Sequence, residues 1–127
     1  MVVLYVYSNG RVHSGSHVYR CALGRNGIRK KTREGDGFTP AGRYPIRQLF
    51  YRADRLNRPN TELPVQKIEP NYGWCDDPGD SAYNQAVVLP YKASAESMWR
   101  QDGLYDLVVI LGHNDNPAVS NAGSAIF

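Results

Sequence analysis

At 127 residues with 42% apolar side chains, the chain is long enough for one domain with a real hydrophobic core, and bulk disorder is excluded. Fifteen Lys and Arg against twelve Asp and Glu leave a formal charge of +3. The basic residues do not gather on one expected face, so nothing points to a nucleic-acid partner, and no apolar run reaches the length of a membrane span.

Nine tyrosines favour strands over helices. Val2 to Tyr7 reads as a first strand. The whole apolar run from Met1 lacks a basic leader and is too short for a signal peptide, so an exported form would carry its signal outside this chain. Asn9-Gly10 is the strongest short hairpin signal, followed by a weak return strand over Val12 to Ser16 and another strand from His17 to Leu23. A second turn lies at Gly24-Arg25-Asn26-Gly27. Arg25, Arg29, Lys30, Lys31 and Arg33 then form a basic segment, either a solvated loop or a patch for an acidic partner.

Glu34 to Ile46 packs three glycines, Gly35, Gly37 and Gly42, and Pro40 into a few residues before a strand begins. Glycine reaches backbone angles that other residues avoid, and proline fixes φ. Such a density predicts a tightly specified loop feeding a strand over Gly42 to Arg52. Leu63 to Ile68 alternates like an edge strand, and Pro70 to Asn84 reads as a long irregular stretch. A short strand follows from Gln85 to Leu89. Ser94 as N-cap, Met98 one turn on and Gly103 as terminator predict one short helix over Ser94 to Gln101. Leu104 to Leu111 is the most apolar run and reads as a central strand covered on both faces. A loop at 112–117 and a turn at 120–123 precede a last strand from Ser124. The expected fold class is therefore mainly β with one short helix, as a single domain over residues 1–127.

Candidate chemistry is sparse. A thiol nucleophile needs a neighbouring base. Cys75 and His113 form one such pair; the alternative is a small buried cysteine and a loop histidine. The neighbours Asp76 and Asp77 raise a thiol pKa rather than lower it. Cys21 and Cys75 show no metal-ligand spacing, and sequence leaves open whether they pair. His113, Asp115, Asp76 and Cys75 match no metal site, and Gly35-Asp36-Gly37 lacks the lysine and helix of a phosphate loop. No cofactor is expected. Gly112-His113-Asn114-Asp115-Asn116-Pro117 is the best remaining candidate site: its polar side chains at the mouth of an apolar strand suit peptide amides, or serve a tight turn alone. Ala125-Ile126-Phe127 follows a turn signal as a buried strand would, so the expectation is a domain that continues beyond Phe127, with residues 1–127 alone marginally stable or completed by a strand from another copy.

Three ordered segments carry a resemblance. Glu34-Gly35-Asp36-Gly37-Phe38-Thr39-Pro40-Ala41-Gly42-Arg43-Tyr44 resembles the Gly-x-x-x-Thr-Pro-x-Gly-x-aromatic signature of L,D-transpeptidase catalytic domains of the YkuD family. Gly73 to Pro78 with Tyr83-Asn84, and Leu104 to Pro117 running into Gly123 to Phe127, resemble a compact branch of the same family. The resemblance implies a mostly β, sandwich-like domain of the bacterial cell envelope that cross-links peptidoglycan stem peptides through a cysteine acyl-enzyme. It implies that the catalytic His and Gly-Cys lie beyond Phe127, that neither Cys75 nor His113 inherits those roles, and that the chain alone is inactive. The alternatives are a non-catalytic peptidoglycan-binding or structural remnant, and an unrelated hydrolase using Cys75 and His113. The implied substrate-binding candidates are His113, Asn114, Trp74, Tyr83 and Asn84. Gly35, Asp36, Thr39, Pro40 and Gly42 are the implied structural loop.

Overall fold

The computed structural model describes residues 2–127, so Met1 of the first apolar run lies outside the described residues. Tyr and Val sit well on a pleated surface, and β1 (Leu4–Tyr7) folds back on β2 (Arg11–Ser14) through the Asn9-Gly10 turn. Gly10 takes φ 78° there, and its N–H reaches the Tyr7 carbonyl at 3.0 Å. β3 (His17–Arg20) completes an antiparallel meander. The register sets Tyr5, His13 and Val18 on one face and Val6, Val12 and Tyr19 on the other, and both faces keep exposed apolar side chains. β4 (Ile28–Arg29) and β5 (Thr39–Pro40) pair in parallel and close the glycine-rich loop between them.

The remaining strands are β6 (Ile46–Tyr51), β7 (Val65–Lys67), β8 (Tyr72–Cys75), β9 (Ala86–Val88), β10 (Ala95–Ser97) and β11 (Leu107–Leu111). They form two three-stranded sheets, ordered β11-β6-β7 and β10-β8-β9. Alternation along β6 and β11 turns Phe50, Val108 and Ile110 inward, where they meet Trp74 of β8. Ile68 and Met98, just past β7 and β10, complete this shared core. Arg52, just past β6, is buried: its guanidinium holds Asp54 bidentately at 2.8 Å, reaches the Arg100 carbonyl and stacks 3.5 Å from the Trp99 ring. The protein is mainly β, with no helix among the described residues long and apolar enough to cross a membrane.

Four sequence expectations are corrected. The helix over Ser94 to Gln101 is absent, and β10 stands in its place. Ser94 donates its hydroxyl to Asp76 Oδ1 at 2.7 Å, and the Met98 N–H pairs with the Tyr72 carbonyl at 3.0 Å. Eight residues nucleate a helix poorly, and an available sheet edge wins. The irregular stretch from Pro70 contains β8, the middle strand of its sheet. β11 pairs with only one strand, β6, and Leu107 is exposed, so it is not covered on both faces. Ser124 to Phe127 forms no strand; Ala125 sits at φ 54°, outside the extended region, although Ile126 still accepts from the Leu111 N–H at 3.2 Å.

Met98 is fully buried between the two sheets. Met98→Ala is expected to lower unfolding stability by about 2–5 kcal/mol, the usual range for emptying such a site; the shift of the urea midpoint measures it.

Candidate functional site

The glycine-rich loop is organised around one carboxylate. Gly35 and Gly37 both take φ 75°, a conformation that side chains resist, and Asp36 between them turns inward. It accepts from Lys31 Nζ at 2.6 Å and from the backbone N–H groups of Thr32, Arg33 and Phe38 at 2.8, 3.2 and 3.0 Å. Burial works against ionisation, but Lys31 and these three donors overcome it and hold the Asp36 carboxyl far below the ordinary carboxylate range. Thr39 Oγ1 accepts from the Gly24 N–H at 2.7 Å, and Pro40 lies buried in β5. Gly42 takes φ 136° directly beneath the Tyr44 hydroxyl, which an added Cβ would approach to 3.0 Å. Gly35, Asp36, Thr39, Pro40 and Gly42 thus lie together in and beside this loop.

The five binding candidates converge around Asn84. Its Oδ1 accepts from Trp74 Nε1 at 2.9 Å and from the Ala125 N–H at 3.1 Å, and its Nδ2 donates to the carbonyls of His113 and Asn114 at 3.1 and 2.7 Å. Tyr83 donates to Glu34 Oε2 at 2.5 Å and accepts from the Gly123 N–H at 2.9 Å, while Ser124 Oγ donates to Glu34 Oε1 at 2.8 Å. Burial, then the Glu34 carboxylate, push the Tyr83 phenol well above its ordinary pKa, so it stays a neutral donor. Asn114, at φ 55°, closes the 112–117 loop by accepting from the Val119 N–H at 2.7 Å and donating to the carbonyls of Val119 and Gly123. The polar groups of Trp74, Tyr83, Asn84 and Asn114 are therefore engaged inside the protein.

His113 differs. Its ring packs edge-on against Tyr44, with centroids 5.3 Å apart, and its buried Nδ1 has no hydrogen-bond partner among the described residues. Burial, then the Lys31 charge, push its pKa down, so the imidazole is neutral at physiological pH. Cys75 is fully buried, and its thiol faces Asp80 Oδ2 at 3.7 Å. Burial first, together with the Asp80 charge, raises its pKa, the reverse of what activates a nucleophile. Both cysteines are free thiols. No group of three or more His, Cys, Asp or Glu among the described residues converges as metal ligands would.

A groove of about 210 Å³ takes Trp74, Asn84, Ile110, Leu111 and Ile126 into its lining. Gln48 and Gln85 also line it, as do Arg47 and Asp115, which pair through two bonds of 3.0 and 3.2 Å. Of the five candidates, only Trp74 and Asn84 reach this groove. Sequence reading missed Arg47, Gln48 and Gln85. The period-2 pattern along β6 could have shown that Gln48 shares the inward face of Phe50, but nothing local joins Arg47 to a partner 68 residues away.

The family model of the YkuD L,D-transpeptidase catalytic domain matches residues 1–127. The chain belongs to that family. No curated protein and no solved structure matches it. In this L,D-transpeptidase domain the family-like glycine loop does not line the groove; it braces the segments that do, through Glu34 on Tyr83 and Ser124.

Asn84→Ala would strand the Trp74 Nε1 donor and two loop carbonyls. A loss of about 2–4 kcal/mol is expected, since each buried group left unpaired costs about 1–3 kcal/mol; chemical denaturation reads it directly. Asp36 also predicts acid sensitivity. Its folded pKa is depressed, so its contribution is complete above the unfolded value near about 4 and is lost as pH falls toward the folded value. Melting temperatures should fall steeply below about pH 4 in the wild type. Asp36→Asn should lower stability at neutral pH and flatten that acid limb.

Proposed function

We propose that residues 1–127 form the peptide-recognising part of an L,D-transpeptidase and that their ligand is the stem peptide of peptidoglycan. One observation carries this reading: in a chain matched by the family over residues 1–127, the groove keeps its unengaged polar groups where an extended peptide would lie. Gln48 and Gln85 both line it, and neither side chain hydrogen-bonds to another of the described residues. Each offers both a donor and an acceptor to passing amides. The apolar part of its lining then supplies burial for a small side chain such as alanine.

Residues 1–127 bind but do not transfer. An acyl-transfer cysteine must be a thiolate beside an imidazole, with donors aimed at the developing oxyanion. Cys75 meets none of these needs, because its thiol is buried, neutral and turned to an acidic partner. His113 instead packs against Tyr44, and Lys31 holds Asp36 of the glycine-rich loop.

Titration of the full chain with a tetrapeptide stem should shift amide resonances at 47–48, 85–86 and 110–115, and Gln48→Ala with Gln85→Ala should weaken binding about tenfold. Cys75→Ser should bind as the wild type does and should not change labelling by a carbapenem. Shifts elsewhere on the surface, or labelling lost with Cys75, would rule this reading out.

A further inference from the structure

We propose that the β1-β2-β3 meander binds an anionic polymer of polyol units joined by phosphodiesters, along the face that carries Tyr5, Tyr7, Arg11, His13, Val18 and Arg20. None of these residues lines the groove, and the inference does not rest on the stem-peptide reading.

Charge is unevenly divided along the chain. Residues 2–33 hold seven of the fifteen Lys and Arg and none of the twelve Asp and Glu. Two of these cations, Arg11 and Arg20, stand directly opposite each other on β2 and β3. Like charges so placed repel and cost stability. Neither side chain makes a hydrogen bond or ion pair to another of the described residues. An anion between the two guanidiniums removes that cost and takes charge-assisted bonds from both. The register adds Tyr7 to the same row. Two residues along the strands, about 7 Å away, runs a second row of Tyr5, His13 and Val18. Tyr5 is 59% exposed, Tyr7 47% and Val18 55%, and no residue of the meander enters the core cluster. A band of positive charge thus lies beside a band of apolar surface, both open to solvent.

Charge complementarity selects the occupant. A second copy laid face to face would set the same guanidiniums against one another. In a polyol phosphate, each phosphate meets the arginine row and the carbon chain between phosphates meets the apolar row. The rings argue against a nucleic acid. Tyr7 and His13 pack on each other with centroids 4.7 Å apart, so of the three rings on this face only Tyr5 stands without a ring neighbour among the described residues. Successive bases need successive open platforms, whereas a polyol needs only apolar contact. The opposite face, with Leu4, Val6, Val12, Ser14, His17 and Tyr19, carries no Lys or Arg, so the polymer is held on one side of the sheet.

Calorimetry on the full chain with a glycerol-phosphate oligomer decides the point, beside a single-stranded oligonucleotide of equal charge, inorganic phosphate, and vesicles of anionic phospholipid. The oligomer should bind about tenfold more tightly than the oligonucleotide or inorganic phosphate, and its affinity should fall as salt rises. Arg11→Gln and Arg20→Gln should each weaken it about tenfold and reduce that salt dependence. Tyr5→Ser should weaken it and leave the salt dependence as it is. Relief of the cross-strand repulsion means that Arg20→Gln should melt no lower than the wild type, which separates lost binding from lost folding. An oligonucleotide or inorganic phosphate that binds as tightly as the oligomer overturns the inference. So do binding to vesicles alone, binding unchanged in both arginine variants, and no binding of the oligomer.

Discussion

The side-chain amide of Asn84 uses its full hydrogen-bonding capacity, two donors and two acceptor positions, on four partners from three distant stretches of chain. Its backbone supports the arrangement: at φ 59° its N–H reaches the Cys75 carbonyl at 2.9 Å, which ends β8 in a defined direction. Asparagine tolerates that conformation better than most residues. By holding Trp74 Nε1, Asn84 also fixes an indole whose ring meets Phe50 and Phe127 edge-on at 6.4 and 5.0 Å. Core packing and the loops above it are thus set by one buried amide, and a fully satisfied buried network of this kind specifies a single arrangement.

Two carboxylates extend that control outward. Asp36 gathers its own loop, and Glu34, two residues earlier, reaches across to Tyr83 and Ser124 while its N–H donates to the Asn121 carbonyl at 2.8 Å. The glycine-rich loop therefore acts as a brace between the β8–β9 connection and the 112–125 segment. What these networks leave over is as informative as what they hold. Gln48, Gln85 and the partly exposed Arg47–Asp115 pair line the groove and stand outside these networks.

Much of the strand pattern was legible because alternation and turn chemistry are local. The Asn9-Gly10 hairpin, the turn at 24–27 and an edge strand around Val65 follow from neighbours in sequence. The segment from Ser94 to Gln101 misled because its capping residue had a better partner in Asp76 and its backbone a better partner in β8, both distant in sequence. The same reason hid β8: Tyr72 to Cys75 lies among prolines, glycines and aspartates that signal turns, and only its two neighbouring strands make it the centre of a sheet. His113, Asn114, Trp74, Tyr83 and Asn84 were singled out together and do meet. Their individual parts depend on which hydrogen bonds are already taken inside the protein, which sequence does not state.

By itself, the sequence determined the fold class, the positions of the tight turns, the glycine-rich loop before β6 and the family to which the chain belongs. These rest on backbone preferences and short motifs that act over a few residues. Only the tertiary structure decided that the loop braces rather than lines the groove, that Cys75 is a buried neutral thiol, and that Arg47 meets Asp115. Each of these depends on burial and on contacts between residues tens of positions apart, and the local pattern of a chain carries no record of which distant groups will exclude water together.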